Sequence, residues 1–241
     1  MITRIAAHRG GASLAPENTL AGIHKAAELD LSWIEIDTQL SADGVPVIIH
    51  DKTVDRCSNG NGAVADLHWS ELQQLDAGSW FDQAFADEKF PSLSQVLTIC
   101  QPLTIQINLE LKIHNGDDIN KLCEQVTRVI EQSGFPHQRL LISSFNHQAM
   151  QQIKQQLPDI RRGQLWETIS DDWQEQLQAI DAYSAHCHYR FLTKQQANQV
   201  KQAGYQLICY TANNPDEVRE HWHWGVDLMI TDTPQRYLEM P

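Results

Sequence analysis

The sequence predicts an α/β fold, a (β/α)8 TIM barrel with a small insertion after its second strand. Two observations carry that prediction. Along 241 residues, eight short strand-like runs alternate with amphipathic helical stretches, the pattern of a parallel sheet whose crossovers are helices; about 250 residues is the usual size of such a barrel. The strands are also two-faced. In TIQINLELKI, Ile105, Ile107, Leu109 and Leu111 alternate with Gln106, Asn108, Glu110 and Lys112, and successive strand side chains point to opposite faces. A central strand of an open doubly wound sheet is covered on both faces and apolar throughout. A barrel turns the apolar face to its helices and leaves inward residues near the mouth free for chemistry.

Each element follows in order. The first strand, residues 4–7, ends in His8, Arg9 and two glycines; a helix over about 18–29 follows, with Asn18 or Thr19 as its N-cap. In the second strand, WIEIDTQ, Ile34 and Ile36 oppose Glu35 and Asp37. Then the βα rhythm breaks. ADG is turn chemistry between two alternating runs, so residues 35–50 form an antiparallel hairpin folded about Asp43, which returns His50 to the side of Glu35 and Asp37. Residues 52 to about 90, with NGNG and DAGSWF, complete an insertion that spans about 43–90 of a single domain, 1–241. Its aromatics, Trp69, Trp80 and Phe81, either line a pocket or build the insertion's own core. Further strands are expected over 104–111, 139–143, 161–166, 181–186, 205–211 and 226–231. Helices are expected over 92–100, 119–133, 148–156, 172–179, 194–203 and 215–222.

Composition narrows the function. A net charge of −13 argues against nucleic acid and anionic membrane as partners, since both need a basic footprint. Cys57, Cys100, Cys123, Cys187 and Cys209 form no CxxC pair, which suggests reduced thiols in a cytoplasmic protein. Arg4, His8 and Arg9 interrupt any secretory-signal core, and no apolar run reaches the length of a membrane span.

Glu35 and Asp37, two apart on one strand, share a face, and Glu110 projects inward from the neighbouring strand. Three converging carboxylates repel one another unless a cation sits among them, and oxygen donors suit Mg²⁺, Ca²⁺ or Mn²⁺. His8 and His50 stand out among 11 histidines because each ends a strand-like run and precedes a charged residue; imidazoles so placed can divide acid and base work near neutral pH. Arg9 and Lys112 can neutralise phosphate oxygens. A salt bridge from Arg9 to Glu17 is the competing use of that side chain. Gly10 and Gly11 would admit close approach of a ligand to the backbone.

Taken in this order, AAHRG, EIDTQLSADGVPVIIHD and NLELK, with DAGSWF, SSF, YTANNP and WGVDLMITDTP, resemble the glycerophosphodiester phosphodiesterases, especially the small cytoplasmic bacterial kind, over nearly the whole chain. The resemblance implies a metal-dependent TIM barrel that hydrolyses a small-molecule glycerophosphodiester to sn-glycerol 3-phosphate and an alcohol. It implies acid/base roles for His8 and His50, metal ligation by Glu35, Asp37 and Glu110, and phosphate contacts from Arg9 and Lys112. One divalent cation, Mg²⁺, Ca²⁺ or Mn²⁺, is the implied cofactor. An aromatic at the end of barrel strand 7, commonly Trp in the family, is Tyr210 here and bears on the preferred head group; the usual TVN is Thr211-Ala212-Asn213. Three alternatives stand beside it. A phospholipase C or D acting on lyso-lipids should show an apolar rim, against a mean hydropathy of −0.42. A metal amidohydrolase would usually present His-x-His on strand 1, and a non-catalytic phosphate-binding barrel would not need the intact histidines and carboxylates.

Overall fold

In the computed structural model, which describes residues 4–238, the two-faced strands close on themselves. The strands are β1 (Ile5–Ala7), β2 (Trp33–Leu40), β3 (Pro46–Ile48), β4 (Gln106–Leu111), β5 (Leu140–Ser144), β6 (Arg161–Trp166), β7 (Ser184–His188), β8 (Gln206–Tyr210) and β9 (Leu228–Thr231). Around the ring β1-β9-β8-β7-β6-β5-β4-β2 every pairing is parallel, and β1 pairs with β2 to complete an eight-stranded (β/α)8 barrel. The remaining strand, β3, is an antiparallel arm on β2, with Thr38 opposite Ile48 and Leu40 opposite Pro46. That register is symmetric about Asp43. It continues past β3, where the Ile49 N–H donates to the Asp37 carbonyl at 3.0 Å, and so delivers His50 to the mouth.

The helices are α1 (Leu20–Glu28), α2 (Trp69–Leu72), α3 (Leu93–Cys100), α4 (Ile119–Ser133), α5 (His147–Gln156), α6 (Trp173–Ala179), α7 (Lys194–Gln202), α8 (Arg219–Trp224) and α9 (Pro234–Leu238). Of the two candidate caps of α1, Thr19 performs the role, its hydroxyl accepting from the Gly22 N–H at 3.2 Å. Asn18 is released for other work. Two expected elements shift. The strand expected over 181–186 lies at Ser184–His188, because Asp181 adopts a left-handed φ of 45° in the preceding turn. The helix expected over 215–222 opens as a 3₁₀ turn, Pro215–Val218, and becomes α only from Arg219.

Three apolar clusters hold these pieces. The largest joins the outward face of the barrel, including Ile34, Ile36, Ile107, Leu109 and Ile142, to helix residues such as Ile23, Leu97, Leu122 and Met150. Full burial of one such side chain is worth about 1.5–3 kcal/mol, so this shell dominates stability. A small cluster, Ala6, Leu141, Ile208, Leu228 and Ile230, fills the barrel floor. A third, Val47, Ile49, Val54, Val64, Leu72 and Phe90, belongs to the hairpin arm and the segment after it. The barrel also has a polar layer. Fully buried His186 fits there because a side chain at Gly163, on the adjacent strand, would collide with it. Its Nε2 pairs with Ser184 Oγ at 2.7 Å, and burial pushes its pKa down to about 3, so the ring is neutral.

Candidate active site

The β2–β4 register places Glu35 opposite Asn108 and Asp37 opposite Glu110. All three carboxylates therefore face inward, where they are buried with ligand oxygens within 4.8 Å of one another. Their surroundings supply some countercharge. Lys112 Nζ lies 2.6 Å from Glu110 Oε1 and 3.3 Å from Asp37 Oδ1. The Arg9 N–H donates to Glu35 Oε2 at 3.1 Å, and Asn18 Nδ2 donates to Asp37 Oδ2 at 2.9 Å. Glu35 Oε1 and Asp37 Oδ1 are nonetheless buried without a hydrogen bond; the Asp37–Lys112 approach is an ion pair whose geometry does not make one.

Charge in this pocket is unbalanced. Burial, reinforced by the Asp37 charge, pushes the Glu35 carboxyl up to about 8. Burial also raises Glu110, to about 6, against the pull of Lys112. Asp37 is held below the usual carboxylate range: burial opposes this, but Lys112, His50 and Arg9 outweigh it. Arg9 is itself shared, its Nη1 donating to Glu17 at 2.6 Å while its Nε stands 3.8 Å from Asp37. Two unpaired buried oxygens among three hard-donor carboxylates fit a divalent cation. Glu35, Asp37 and Glu110 are the residues that could hold it.

Two imidazoles flank the carboxylates, each braced by another. His8 Nδ1 lies 2.6 Å from Asp232 Oδ1, turning Nε2 towards Glu35 Oε2 at 3.8 Å. Burial lowers the His8 pKa, but the Asp232 hydrogen bond and the Glu35 charge overcome it, and the net shift is upward. His50 Nδ1 lies 2.8 Å from Asp51 Oδ1. Here burial prevails over the attraction of Asp37, with help from Lys112 and Arg9, and the pKa falls. In both rings a carboxylate on Nδ1 leaves Nε2 for the cavity.

The cavity, about 290 Å³, is lined by the charged and titratable groups of His8, Arg9, Glu35, His50, Glu110 and Lys112 and by Phe145, Leu165, His188 and Tyr210. Tyr210 is fixed by its hydroxyl, which donates to the Trp166 carbonyl at 2.7 Å; its ring meets Phe145 edge-on at 6.1 Å. All eight residues singled out from the sequence thus gather at this mouth. The insertion's aromatics divide: Trp69 packs against the insertion's core, whereas Trp80 and Phe81 line a neighbouring pocket with His8, Arg9 and Arg56. Gly10 and Gly11 pack close to Gly22 of α1. Both have positive φ, and a side chain at Gly11 would stand 3.2 Å from the Gly22 carbonyl of α1.

Four residues that brace the site's charged groups were not singled out from sequence: Asn18, Asp51, Arg56 and Asp232. Asp232 carried a signal, since it follows β9 as His8 follows β1 and β9 is the partner of β1. Asn18 was masked by its equal suitability as a helix cap.

Fold and site together define a closed TIM barrel with three carboxylates, two imidazoles and two fixed cations gathered at its mouth. The glycerophosphoryl diester phosphodiesterase family profile matches residues 8–236, and the chain belongs to that family. A glycerophosphodiester phosphodiesterase of Caldanaerobacter subterraneus subsp. tengcongensis is 34% identical over 245 residues, covering 100% of this chain and 98% of the relative. Among solved structures, a phosphodiesterase of Oleispira antarctica in complex with the product sn-glycerol-3-phosphate superposes with a TM-score of 0.93 at 35% identity, covering 98% of this chain and 96% of that one. A glycerophosphodiester phosphodiesterase of Agrobacterium tumefaciens follows the fold with a TM-score of 0.81 at 27% identity, covering 99% and 100% of the two chains.

Proposed function

We propose that this chain hydrolyses glycerophosphodiesters to sn-glycerol 3-phosphate and an alcohol, with a divalent cation and two histidines as the working parts. The observation that carries the proposal is the pair of carboxylate-braced imidazoles on either side of three buried carboxylates with unpaired oxygens. Glu35, Asp37 and Glu110 would hold the cation, Mg²⁺, Ca²⁺ or Mn²⁺. When bound, it supplies Lewis acidity towards a phosphoryl oxygen.

The chain's own residues account for the rest. Arg9 and Lys112 place fixed positive charge at the cavity, where they bind the phosphodiester anion and stabilise charge that grows on its oxygens. One of His8 and His50 accepts a proton at Nε2 from the attacking hydroxyl, and the other returns a proton to the leaving alkoxide. Their Nδ1 partners, Asp232 and Asp51, fix ring orientation throughout. Tyr210 and its aromatic neighbours face the alcohol portion. The domain is one unit, 1–241 with its insertion about 43–90, although its outermost residues lie outside those described. Among the described residues no helix is long and apolar enough to cross a membrane. The five free, buried cysteines support a reducing, cytoplasmic setting.

A lyso-lipid substrate is the second reading, favoured by two half-exposed side chains, Phe145 and Phe191. One assay separates the two. Release of glycerol 3-phosphate is measured from glycerophosphocholine, glycerophosphoethanolamine and glycerophosphoglycerol, and release of choline or phosphocholine from lysophosphatidylcholine, with EDTA and with each cation restored. Cation-restored release from the diesters is the expected result. Turnover confined to the lyso-lipid would replace the proposal with the second reading.

A further inference from the structure

One guanidinium in the insertion reaches the carboxylate partners of both an imidazole and an arginine that the proposed function uses. Arg56 Nε donates to Asp51 Oδ2 at 2.6 Å and its Nη2 to Asp51 Oδ1 at 3.0 Å. Its Nη1 donates to Glu17 Oε2 at 2.9 Å, and Nη2 donates also to Glu17 Oε1 at 2.7 Å. Each carboxylate then holds one cavity group. Asp51 Oδ1 is the oxygen facing His50 Nδ1, and Glu17 Oε1 accepts from Arg9 Nη1. We propose that Arg56 is a positioning residue for phosphodiester hydrolysis, setting His50 and Arg9 in register through Asp51 and Glu17.

Arg56 acts here as a planar fork. Arginine offers five N–H donors in fixed geometry, and here four contacts bind two carboxylates at once. Both oxygens that serve the cavity are shared with Arg56, which dilutes the hold of Glu17 on Arg9 and leaves that side chain able to meet a phosphate. Asp51 gains a fixed direction from which to orient His50. A purely structural role fits the exposure poorly. The Arg56 side chain is 46% exposed, and ion pairs so open to solvent add little to folding stability. The geometry thus connects the insertion to the reaction: Arg56 ties Asp51, at the end of the hairpin arm, to Glu17, in the loop before α1.

This inference rests on the roles proposed for His50 and Arg9, and the experiment keeps the two apart. Wild-type protein and Arg56→Met are assayed with glycerophosphocholine and the activating cation, with and without added methylguanidinium, and their thermal midpoints are compared. Expected is a loss in kcat/KM of roughly tenfold or more, divided between a lower kcat and a higher KM, at an unchanged midpoint. Methylguanidinium should restore part of it, whereas Arg56→Lys, a point charge that cannot fork, should stay impaired. An Arg56→Met variant within about twofold of wild type in both constants overturns the inference. So does a loss that tracks a lowered midpoint and is not restored by methylguanidinium. Wild-type protein inert towards every diester with every cation would remove the functional reading and this inference with it; an active wild type with an indifferent Arg56→Met removes the inference alone.

Discussion

The two histidines at the mouth are held by different parts of the molecule. His8 follows a barrel strand and is braced by Asp232, which follows the adjacent strand and whose second oxygen accepts from Asn213 Nδ2 at 2.6 Å; that arm is made wholly of barrel. His50 rides on a hairpin outside the ring and is braced by Asp51, itself gripped by Arg56 of the insertion. Their surroundings differ accordingly. The net upward shift of His8 comes from two facing carboxylates, while the downward shift of His50 comes from burial beside two cations. The contrast teaches that closing a barrel supplies only one of the two imidazoles. The other required a departure from βα repetition.

The largest expected effect removes what both arms serve. If Glu35, Asp37 and Glu110 hold a catalytic cation, EDTA should lower glycerol 3-phosphate release by roughly a thousandfold, and Glu35→Gln should resist rescue at cation concentrations that saturate wild type. Full activity of thoroughly chelated protein would break the comparison at its root. Next come the histidines. His8→Ala and His50→Ala should each cut turnover at least about a hundredfold with far-UV circular dichroism unchanged. A large loss in one alone would make the arms unequal in role as well as in construction. A smaller loss, roughly tenfold or more in kcat, is expected of Asp232→Asn, which keeps the shape of the brace but not its charge. Near-wild-type kcat in that variant would mean that His8 is oriented by the barrel without its carboxylate.

The same contrast explains what the sequence disclosed. Alternation in WIEID and NLELK was sufficient to put Glu35, Asp37, Glu110 and Lys112 on one inward face, because side-chain direction in a strand follows from residue parity alone. His50 was legible through turn chemistry: ADG placed the fold point at Asp43, and the observed register is symmetric about it. Partners chosen by three-dimensional closure were less accessible. Asp232 and His8 are 224 residues apart and meet only because β9 is the neighbour of β1. Asn18 could serve equally as a helix cap, and nothing local revealed that Thr19 would cap α1 while Asn18 took a left-handed φ of 57° and turned to Asp37. Arg56 lies in the non-repetitive segment, where no periodicity assigns a direction to any side chain. His186 was hidden for another reason: its place in the barrel depends on the missing side chain of Gly163 on the next strand.

The smallest expected effect concerns stability and isolates the insertion arm. Burial opposes ionisation of Glu17, but Arg56 and Arg9 outweigh it and hold its pKa below the ordinary 4.5. A carboxyl with a lower pKa in the folded state binds its proton more readily when the chain unfolds. Its ionised form therefore favours folding above about pH 4.5, and that contribution is lost as pH falls through the depressed folded value. Glu17→Gln has no such proton to exchange. Between about pH 6 and about pH 3, the urea midpoint of Glu17→Gln should consequently fall by less than that of wild type, although other carboxylates make both decline. Equal declines would show that Arg9 and Arg56 lend Glu17 no differential stabilisation in the folded state, and would leave the grip of the insertion on the barrel to its apolar cluster of Val54, Val64, Leu72 and Phe90.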